Sequence, residues 1–430
     1  MKKFFINSMI LFVFLSLFIY IITLTIQYTE TNKLKSNSKI ELSIKEQTVT
    51  MPKPLPKAEA NYSFSKVFFV IRLVLSVTIP LIFIAFGGIA IINSFRGNEL
   101  IRLLKFIFIY LIFDFLLTLP VTFFSSFYRL KLVGLSNATL SLWSENLFKE
   151  LIITLIIVTA LGWIPYIIFL KYKHWYIIFA LLTIPIGILT SIISPLYIDP
   201  VFNEIKPLED KQLEDKIVKM TNKVGIEDVK LYEVDKSKET KALNAYMTGI
   251  FNVKRIVIWD NTLKALNEKE LLSIVAHEVG HYKLRHIPKA IALSSIFSLL
   301  ILTLVNYIYK GLYFKYGKGW AVTGYKSLSA IPIILVIFTL LSILLQPLSN
   351  TYSRKVEMDA DKFAIELSHD NLTNGVLEVR FMESNLSMDD VNWIFKLWVY
   401  DHPTPKERIE MSNSYKPWEN DTYQFKRYIK

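Results

Sequence analysis

The chain has 430 residues, of which 52% are hydrophobic, and its formal net charge is +12. A soluble domain rarely contains so much apolar material, so this composition is typical of a membrane protein. The chain has no cysteine, which excludes disulfides and thiolate metal ligands. Most of the positive charge lies in loops beside apolar segments. It therefore favours anionic lipids as partners, and we expect no nucleic acid partner.

Seven apolar segments each approach the roughly 20 residues that a bilayer-spanning helix needs. The predicted spans are 4–26, 67–92, 106–124, 151–170, 175–197, 287–309 and 328–348. The first apolar run is too long for the core of a signal peptide, and no small-residue cleavage site follows it. We therefore expect it to be a retained anchor. Between the first two spans, residues 27–66 are polar, lysine-rich and contain several prolines, which predicts a loop with an extended stretch.

The polar region after the fifth span combines helical and strand patterns. Residues 210–224 have helical periodicity, whereas 229–234 and 255–259 are rich in β-branched residues and are predicted strands. Asn267 followed by Glu270 is typical of a capping box, and it predicts the start of a helix that runs to about residue 286.

That helix contains the sequence His277-Glu278-Val279-Gly280-His281. Residues four apart lie above one another on one face of a helix, so His277 and His281 can bind the same metal ion. Glu278 lies beside them, where it can accept a proton from a water molecule that the metal activates. This arrangement is typical of zinc metallopeptidases.

Catalytic zinc usually takes three protein ligands, so one ligand must come from elsewhere in the chain. The best candidate is Glu357, and Asp361 lies four residues later on the same predicted helix face. We expect Glu357 to bind the metal, and Asp361 to accept the second ring N–H of a ligand histidine. His286 falls off the face shared by His277 and His281, and we predict that it is not a ligand.

These patterns predict a mainly α-helical integral membrane protein with about seven transmembrane helices. They also predict a small α+β zinc-metallopeptidase domain of the gluzincin type, split by the last transmembrane hairpin. The predicted divisions are a five-span region at 1–198, the first catalytic half at 199–286, the hairpin at 287–348 and the second catalytic half at 349–430.

The residues of the catalytic part resemble those of the type I CAAX prenyl proteases, which are seven-span membrane zinc metallopeptidases. The resemblance is carried by 195–208 after the fifth span, Asn244-Ala245-Tyr246 with Gly249, 254–257 with Asp260, S-R-x-x-E-x-x-A-D at 353–361, and H-P-x-x-x-x-R from His402 to Arg408. The order and spacing of these motifs match the family's pattern from about residue 195 to Arg408. The N-terminal spans match the family more loosely, in number and hydropathy.

The resemblance implies further roles and a location for the active site. Asn244 would lie on an edge strand that pairs with the substrate backbone, as docking of an extended peptide requires. His402 and Arg408 would stabilise the oxyanion formed at the scissile carbonyl. The spans would enclose an intramembrane chamber capped by a site with one Zn²⁺ ion.

The sequence therefore predicts a membrane-embedded zinc endopeptidase, expected in a bacterial cell membrane. Its substrates would be C-terminal CAAX-like peptides or other membrane-associated peptides and proteins, with or without a lipid group. A zinc-binding membrane scaffold or sensor without turnover is the alternative. Basic loops on the N-terminal side would place the catalytic domain outside the cell, whereas the family places it in the cytosol. The sequence does not decide on which side of the membrane the catalytic domain lies, nor the oligomeric state.

Overall fold

A computed structural model describes residues 2–248 and 254–429. Seven of its helical segments are long and apolar enough to cross a membrane, which confirms the predicted number. These segments are Lys2–Thr29, Pro56–Ala85, Glu99–Val133, Leu140–Lys171, Trp175–Phe202, His286–Tyr316 and Leu328–Ser368. Gly249, the last residue of the Asn-Ala-Tyr motif, lies outside the described residues.

The N-terminal region consists almost entirely of helices. These are α1 (Lys2–Thr29), α2 (Thr31–Leu34), α3 (Pro56–Ala85), α4 (Gly88–Asn93), α5 (Glu99–Thr122), α6 (Arg129–Val133), α7 (Leu140–Leu161), α8 (Trp163–Lys171), α9 (Trp175–Ile193) and α10 (Asp199–Phe202). The predicted span 67–92 is misplaced, because α3 begins at Pro56 and ends before Gly87. Gly87 has φ 91°, a left-handed conformation that favours glycine and interrupts the helix. Two π-helical turns, Phe123–Tyr128 and Ser194–Ile198, continue α5 and α9.

A four-stranded sheet forms part of the predicted catalytic domain. Its strands are β3 (Ile205–Pro207), β4 (Lys230–Val234), β5 (Ala245–Thr248) and β6 (Arg255–Trp259), in the order β3-β4-β6-β5. β4 and β6 are parallel, and the outer strands pair with them in antiparallel fashion. The two strands predicted from β-branched residues are the central pair. β3 and β5 are too short for a clear alternating pattern.

The remaining helices belong to the catalytic domain or to the last transmembrane hairpin. They are α11 (Lys211–Lys223), α12 (Asp260–Ala265), α13 (Glu268–Lys283), α14 (His286–Tyr316), α15 (Ile331–Ser368), α16 (Asn371–Ser384), α17 (Trp393–Val399) and α18 (Pro405–Ser414). The predicted capping box at the start of α13 is present, with Asn267 and Glu270 exchanging hydrogen bonds.

One hydrophobic core joins the two parts of the chain that the hairpin separates. Buried Leu213 and Val275, before the hairpin, pack in the same cluster as Phe363 and Leu377 after it. α15 is continuous from the membrane into this core. The catalytic domain is therefore a single folded unit, and the membrane hairpin is inserted between its halves.

The polar loop between α1 and α3 docks onto the catalytic domain. Its short hairpin consists of β1 (Ile44–Lys45) and β2 (Thr48–Val49). The Val49 N–H donates to the Asn413 side chain at 2.8 Å, and the Asn413 amide donates to the Val49 carbonyl at 2.9 Å. This loop therefore lies at the same end of the helices as the catalytic domain.

Candidate active site

Helix α13 carries His277, Glu278 and His281, and it packs closely against α15. A side chain at Gly280 would place its Cβ 3.1 Å from the Phe363 ring of α15, which is tighter than ordinary contact. A glycine at this position therefore allows the two helices to approach. This approach brings Glu357 of α15 towards the two histidines.

Three candidate ligand atoms converge between α13 and α15. The Nε2 atoms of His277 and His281 are 3.0 Å apart. The Glu357 Oε2 atom lies 3.2 Å from His277 Nε2 and 3.5 Å from His281 Nε2. Glu357 is buried, and its Oε2 atom has no hydrogen-bond partner. A buried carboxylate oxygen that faces two imidazole nitrogens is an arrangement that a divalent cation would satisfy.

Each of the two histidines has its second ring nitrogen held by another side chain. His277 Nδ1 lies 2.8 Å from Asp361 Oδ1, a contact in which the imidazole donates and the carboxylate accepts. His281 Nδ1 lies 2.9 Å from the Nδ1 of buried His286. With both Nδ1 atoms protonated, both Nε2 lone pairs would face Glu357.

The sequence does not predict the contact between His286 and His281, because the helical spacing of α13 ends before His286. Arg285 adopts a left-handed conformation with φ 55°, and α14 begins at the next residue. The imidazole of His286 is therefore placed by a turn, and positions counted along α13 do not describe it. The break at Arg285 has no clear sequence signal, since arginine does not favour this conformation.

Burial alone would lower the pKa of His277, but Asp361 and Glu357 outweigh it and raise this pKa to about 10. The two carboxylates therefore favour positive charge at the His277 imidazole. A metal ion bound there must displace the proton, so metal affinity would fall at acid pH.

Arg408 of α18 connects Asp361 to a second buried carboxylate. Its guanidinium donates to the two Asp361 oxygens at 2.7 and 2.5 Å, and it lies 2.9 Å from Glu378 Oε1. Burial would lower the pKa of Arg408, but these carboxylates raise it above its usual value. Burial raises the pKa of Glu378, although Arg408 opposes this shift. Glu378 has no motif of its own, and only its position on α16 beside Arg408 identifies it.

His402 faces the same space from the segment that joins α17 to α18. Its Nε2 atom lies 3.4 Å from Glu357 Oε2, and its Nδ1 atom lies 2.8 Å from Asp401. The hydrogen bond with Asp401 raises the pKa of His402, although burial opposes the shift. The Arg354 guanidinium donates to the Tyr400 carbonyl at 2.6 Å. It thereby anchors α15 to this segment two residues before His402.

Glu278 and Asn244 line one side of a cleft of about 410 Å³ that also contains His277 and His402. The Met247 N–H of edge strand β5 donates to Glu278 Oε2 at 3.1 Å. Asn244 directly precedes β5, and its side chain is exposed. Six of the eight predicted site residues line this cleft, and His281 and Glu357 adjoin it through their contacts with His277, while Arg408 is directed at carboxylates.

Two family models together match most of the chain. Residues 207–415 match peptidase family M48. Residues 47–204 match the N-terminal region of CAAX prenyl proteases, described as five membrane helices. The second range contains four of the candidate spans, and α1 precedes it.

Individual proteins from a bacterium and from yeasts show the same similarity. The chain is 32% identical over 307 residues to the uncharacterized metalloprotease YhfN of Bacillus subtilis, covering 71% of this chain and 72% of that protein. It is 30% identical over 312 residues to CAAX prenyl protease 1 of Saccharomyces cerevisiae, covering 68% of each. Its fold is similar to that of S. mikatae Ste24p, with a TM-score of 0.74 at 23% identity, over 94% of this chain and 99% of that one.

Proposed function

This chain belongs to the type I CAAX prenyl protease family of M48 peptidases, and we propose that His277, His281 and Glu357 bind its single zinc ion. The protein is a multi-pass membrane metalloprotease, and M48 peptidases are zinc-dependent in general. The observation that carries the ligand assignment is the unpaired, buried Glu357 Oε2 atom facing two imidazole nitrogens.

Glu278 acts as the general base of the reaction. A bound zinc ion supplies Lewis acidity, which makes a water molecule acidic enough to react near neutral pH. The carboxylate of Glu278 accepts the proton of this water and later delivers it to the leaving amine. Its contact with the Met247 N–H keeps the carboxylate beside the strand along which a substrate would lie.

His402 and Arg408 have different roles in the reaction. His402 Nε2 faces the ligand group from the open side of the cleft, and its contact with Asp401 favours the charged imidazolium, which suits an oxyanion donor. Arg408 is engaged by Asp361 and Glu378. These contacts favour a positioning role for Arg408, acting through Asp361 on His277, over direct contact with substrate.

An extended peptide docks against β5. Trp259 donates its N–H to the Asn244 carbonyl at 3.2 Å. In an antiparallel ladder the direction of these groups alternates, so the Ala245 and Met247 carbonyls point away from β6. A substrate backbone can donate to these carbonyls, and the exposed Asn244 amide adds a further hydrogen-bonding group. The substrate class is peptides of membrane-associated proteins.

A pair of peptides tests both the activity and the substrate class. The peptides are identical except for a farnesyl group on a cysteine near the C-terminus, and the purified protein in detergent is compared with Glu278→Gln. Preferential cleavage of the farnesylated peptide would assign lipidated substrates, and equal cleavage would assign membrane peptides in general. No cleavage above the Glu278→Gln blank by the zinc-loaded protein would overturn the proposed function.

Removal of the metal is expected to abolish cleavage, and added Zn²⁺ is expected to restore it, because the ligand atoms are held by the folded helices. Metal analysis should give one zinc ion per chain. His281→Ala should lose this zinc, whereas His369→Ala should keep it, since His369 contacts Tyr423 in the C-terminal segment. Retention of full zinc by His281→Ala would contradict the ligand assignment.

Replacing His286 with phenylalanine is expected to weaken zinc binding by roughly 10- to 100-fold. The aromatic ring fills the same space, but His281 Nδ1 loses its hydrogen-bond acceptor. His286→Asn retains an acceptor and should recover part of the affinity. Competition titration with a zinc-binding dye measures the effect, and wild-type affinity in both variants would show that His286 has no orienting role.

A further inference from the structure

The polar segment between α2 and α3, residues 35–55, lies across two helices that support the active site, and we call it the strap. Val49 of the strap is only 2% exposed and packs against Val379 of α16 and Ile409 of α18. The Asn413 side chain of α18 accepts the Val49 N–H at 2.8 Å and donates to the Val49 carbonyl at 2.9 Å. Val49 therefore occupies the groove between α16 and α18.

A glycine at position 375 allows the strap to lie close to α16. A Cβ atom at Gly375 would be 3.1 Å from Val49 Cγ2 and 3.4 Å from Ser412 Cβ of α18. Ser412 also donates its hydroxyl to Asn374 of α16 at 2.7 Å. The strap, α16 and α18 therefore converge at one level, where the packing is too close to accept an additional methyl group without a shift.

This level lies one helical turn from an ion pair between the same two helices. Glu378 follows Gly375 by three residues along α16. Arg408 precedes Ser412 by four residues along α18. Residues with these spacings are neighbours on a helix surface, so the contact with the strap and the ion pair lie on adjoining turns of both helices.

The ion pair connects the two helices to a metal ligand. Arg408 lies 2.9 Å from Glu378 Oε1 and donates to Asp361 at 2.7 Å. Asp361 in turn lies 2.8 Å from His277 Nδ1. A change in the distance between α16 and α18 at Val49 would therefore move Arg408 relative to Asp361 and loosen the orientation of His277.

Both ends of the strap are held by helices of the membrane region. Just before the strap, Lys33 of α2 pairs with Glu30 at 3.0 Å and with Glu59 of α3 at 3.1 Å. At its other end, buried Leu55 packs in one cluster with Val133 of α6. The strap is therefore a support fixed to the membrane helices, against which α16 and α18 pack.

We propose that Val49 is a positioning residue of the active site, because the strap fixes the distance between α16 and α18 and thereby holds Arg408 on Asp361. The inference rests on the proposed function and adds to it a segment outside the substrate cleft, whose lining residues all fall between 242 and 408. Val49 acts through the two helices on the orientation of His277. It therefore affects metal affinity and the rate of the reaction, and it leaves substrate binding unchanged.

Replacing Val49 with alanine in the full-length protein is expected to weaken zinc binding roughly tenfold, the lower end of the loss seen when contacts that orient a metal ligand are removed. Competition with a zinc-binding dye in detergent measures this affinity without turnover. In peptide cleavage, kcat should fall while KM stays the same, because the substitution lies outside the cleft.

Val305→Ala is the matched control for this substitution. Val305 is fully buried in the membrane part of α14, so the change removes the same two methyl groups and should also lower thermal stability. We expect the control to keep the zinc affinity and kcat of the wild type, which separates positioning of the active site from a general loss of stability.

Moving a methyl group across the contact tests whether Val49 acts at this level of α16. Gly375→Ala alone should weaken zinc binding, because its Cβ atom would meet Val49 Cγ2 at 3.1 Å. Val49→Ala removes that Cγ2 atom, and the new methyl group at position 375 then has ordinary neighbours, Ser412 Cβ at 3.4 Å and the Cβ atom at position 49 at 3.6 Å. The double variant should therefore bind zinc more tightly than either single variant.

Three results would overturn the proposal. The first is wild-type zinc affinity in Val49→Ala, or a loss of affinity that Val305→Ala reproduces. The second is a double variant in which the losses caused by Val49→Ala and Gly375→Ala simply add. The third is a raised KM at unchanged kcat, which would assign the strap to substrate binding.

Asn413→Ala decides the question if Val49→Ala does not fold. It removes both hydrogen bonds to the Val49 backbone and no apolar side chain, and it should weaken zinc binding in the same direction; unchanged affinity would overturn the proposal. Because the dye titration needs no substrate, a wild-type protein that cleaves no peptide would refute the proposed function while the zinc affinities still decide the role of the strap.

Discussion

Replacing Glu278 with glutamine is expected to reduce kcat/KM for peptide cleavage by roughly 10²- to 10⁴-fold, the usual contribution of a general base. Glutamine has nearly the same shape, and its amide oxygen can still accept the Met247 N–H that Glu278 accepts at 3.1 Å. The variant should therefore fold and bind zinc normally. It lacks only the group that takes the proton from water.

Glu268→Gln is the matched control for this prediction. Glu268 lies on the same helix, is exposed and pairs with Lys216 at the surface, so its replacement should leave the rate nearly unchanged. Cleavage kinetics, zinc content and thermal unfolding are measured for both variants. Glu278→Gln protein that binds zinc and still cleaves at the wild-type rate would refute the mechanism.

Replacing Arg408 with methionine is expected to lower the free energy of unfolding by about 3–5 kcal/mol, the usual cost of leaving buried charges without their partner. Asp361 is fully buried and Glu378 is almost so. Both would lose the guanidinium that holds them at 2.5–2.9 Å. His277 would also lose its fixed orientation, so zinc binding should weaken.

A second substitution separates charge burial from other effects of losing Arg408. Adding Glu378→Gln removes one of the two unpaired carboxylates, so the double variant should be more stable than Arg408→Met alone. Arg427→Met is the control, since Arg427 lies near the C-terminus and stacks on Tyr428. Denaturation in detergent measures all of these differences. If the losses of stability caused by Arg408→Met and Glu378→Gln simply add in the double variant, the interaction of Arg408 with Asp361 and Glu378 would be contradicted.

The features predicted correctly from the sequence depend on neighbouring residues. A helix can cross the bilayer if its apolar run is long enough, so the sequence alone predicts the number of spans. The capping box of Asn267 and Glu270 and the helical spacing of His277 and His281 are likewise local. Asn244, His402 and Arg408, by contrast, were recognisable only through their resemblance to a family, because no local pattern distinguishes them.

Other features depended on contacts between distant segments. Glu357 faces His277 because α13 and α15 approach closely at Gly280, and the left-handed turn at Arg285 directs His286 to His281. The short strand β5 is held by its pairing with β6.

Sequence thus determined the number of membrane spans, the helix that carries His277, Glu278 and His281 and, through resemblance, the family. The tertiary structure alone decided which side chains contact the second ring nitrogens of His277 and His281, and that Arg408 contacts carboxylates. Periodicity reports which face of a helix is apolar, whereas the partner of a buried charge is chosen by packing between segments far apart in the chain.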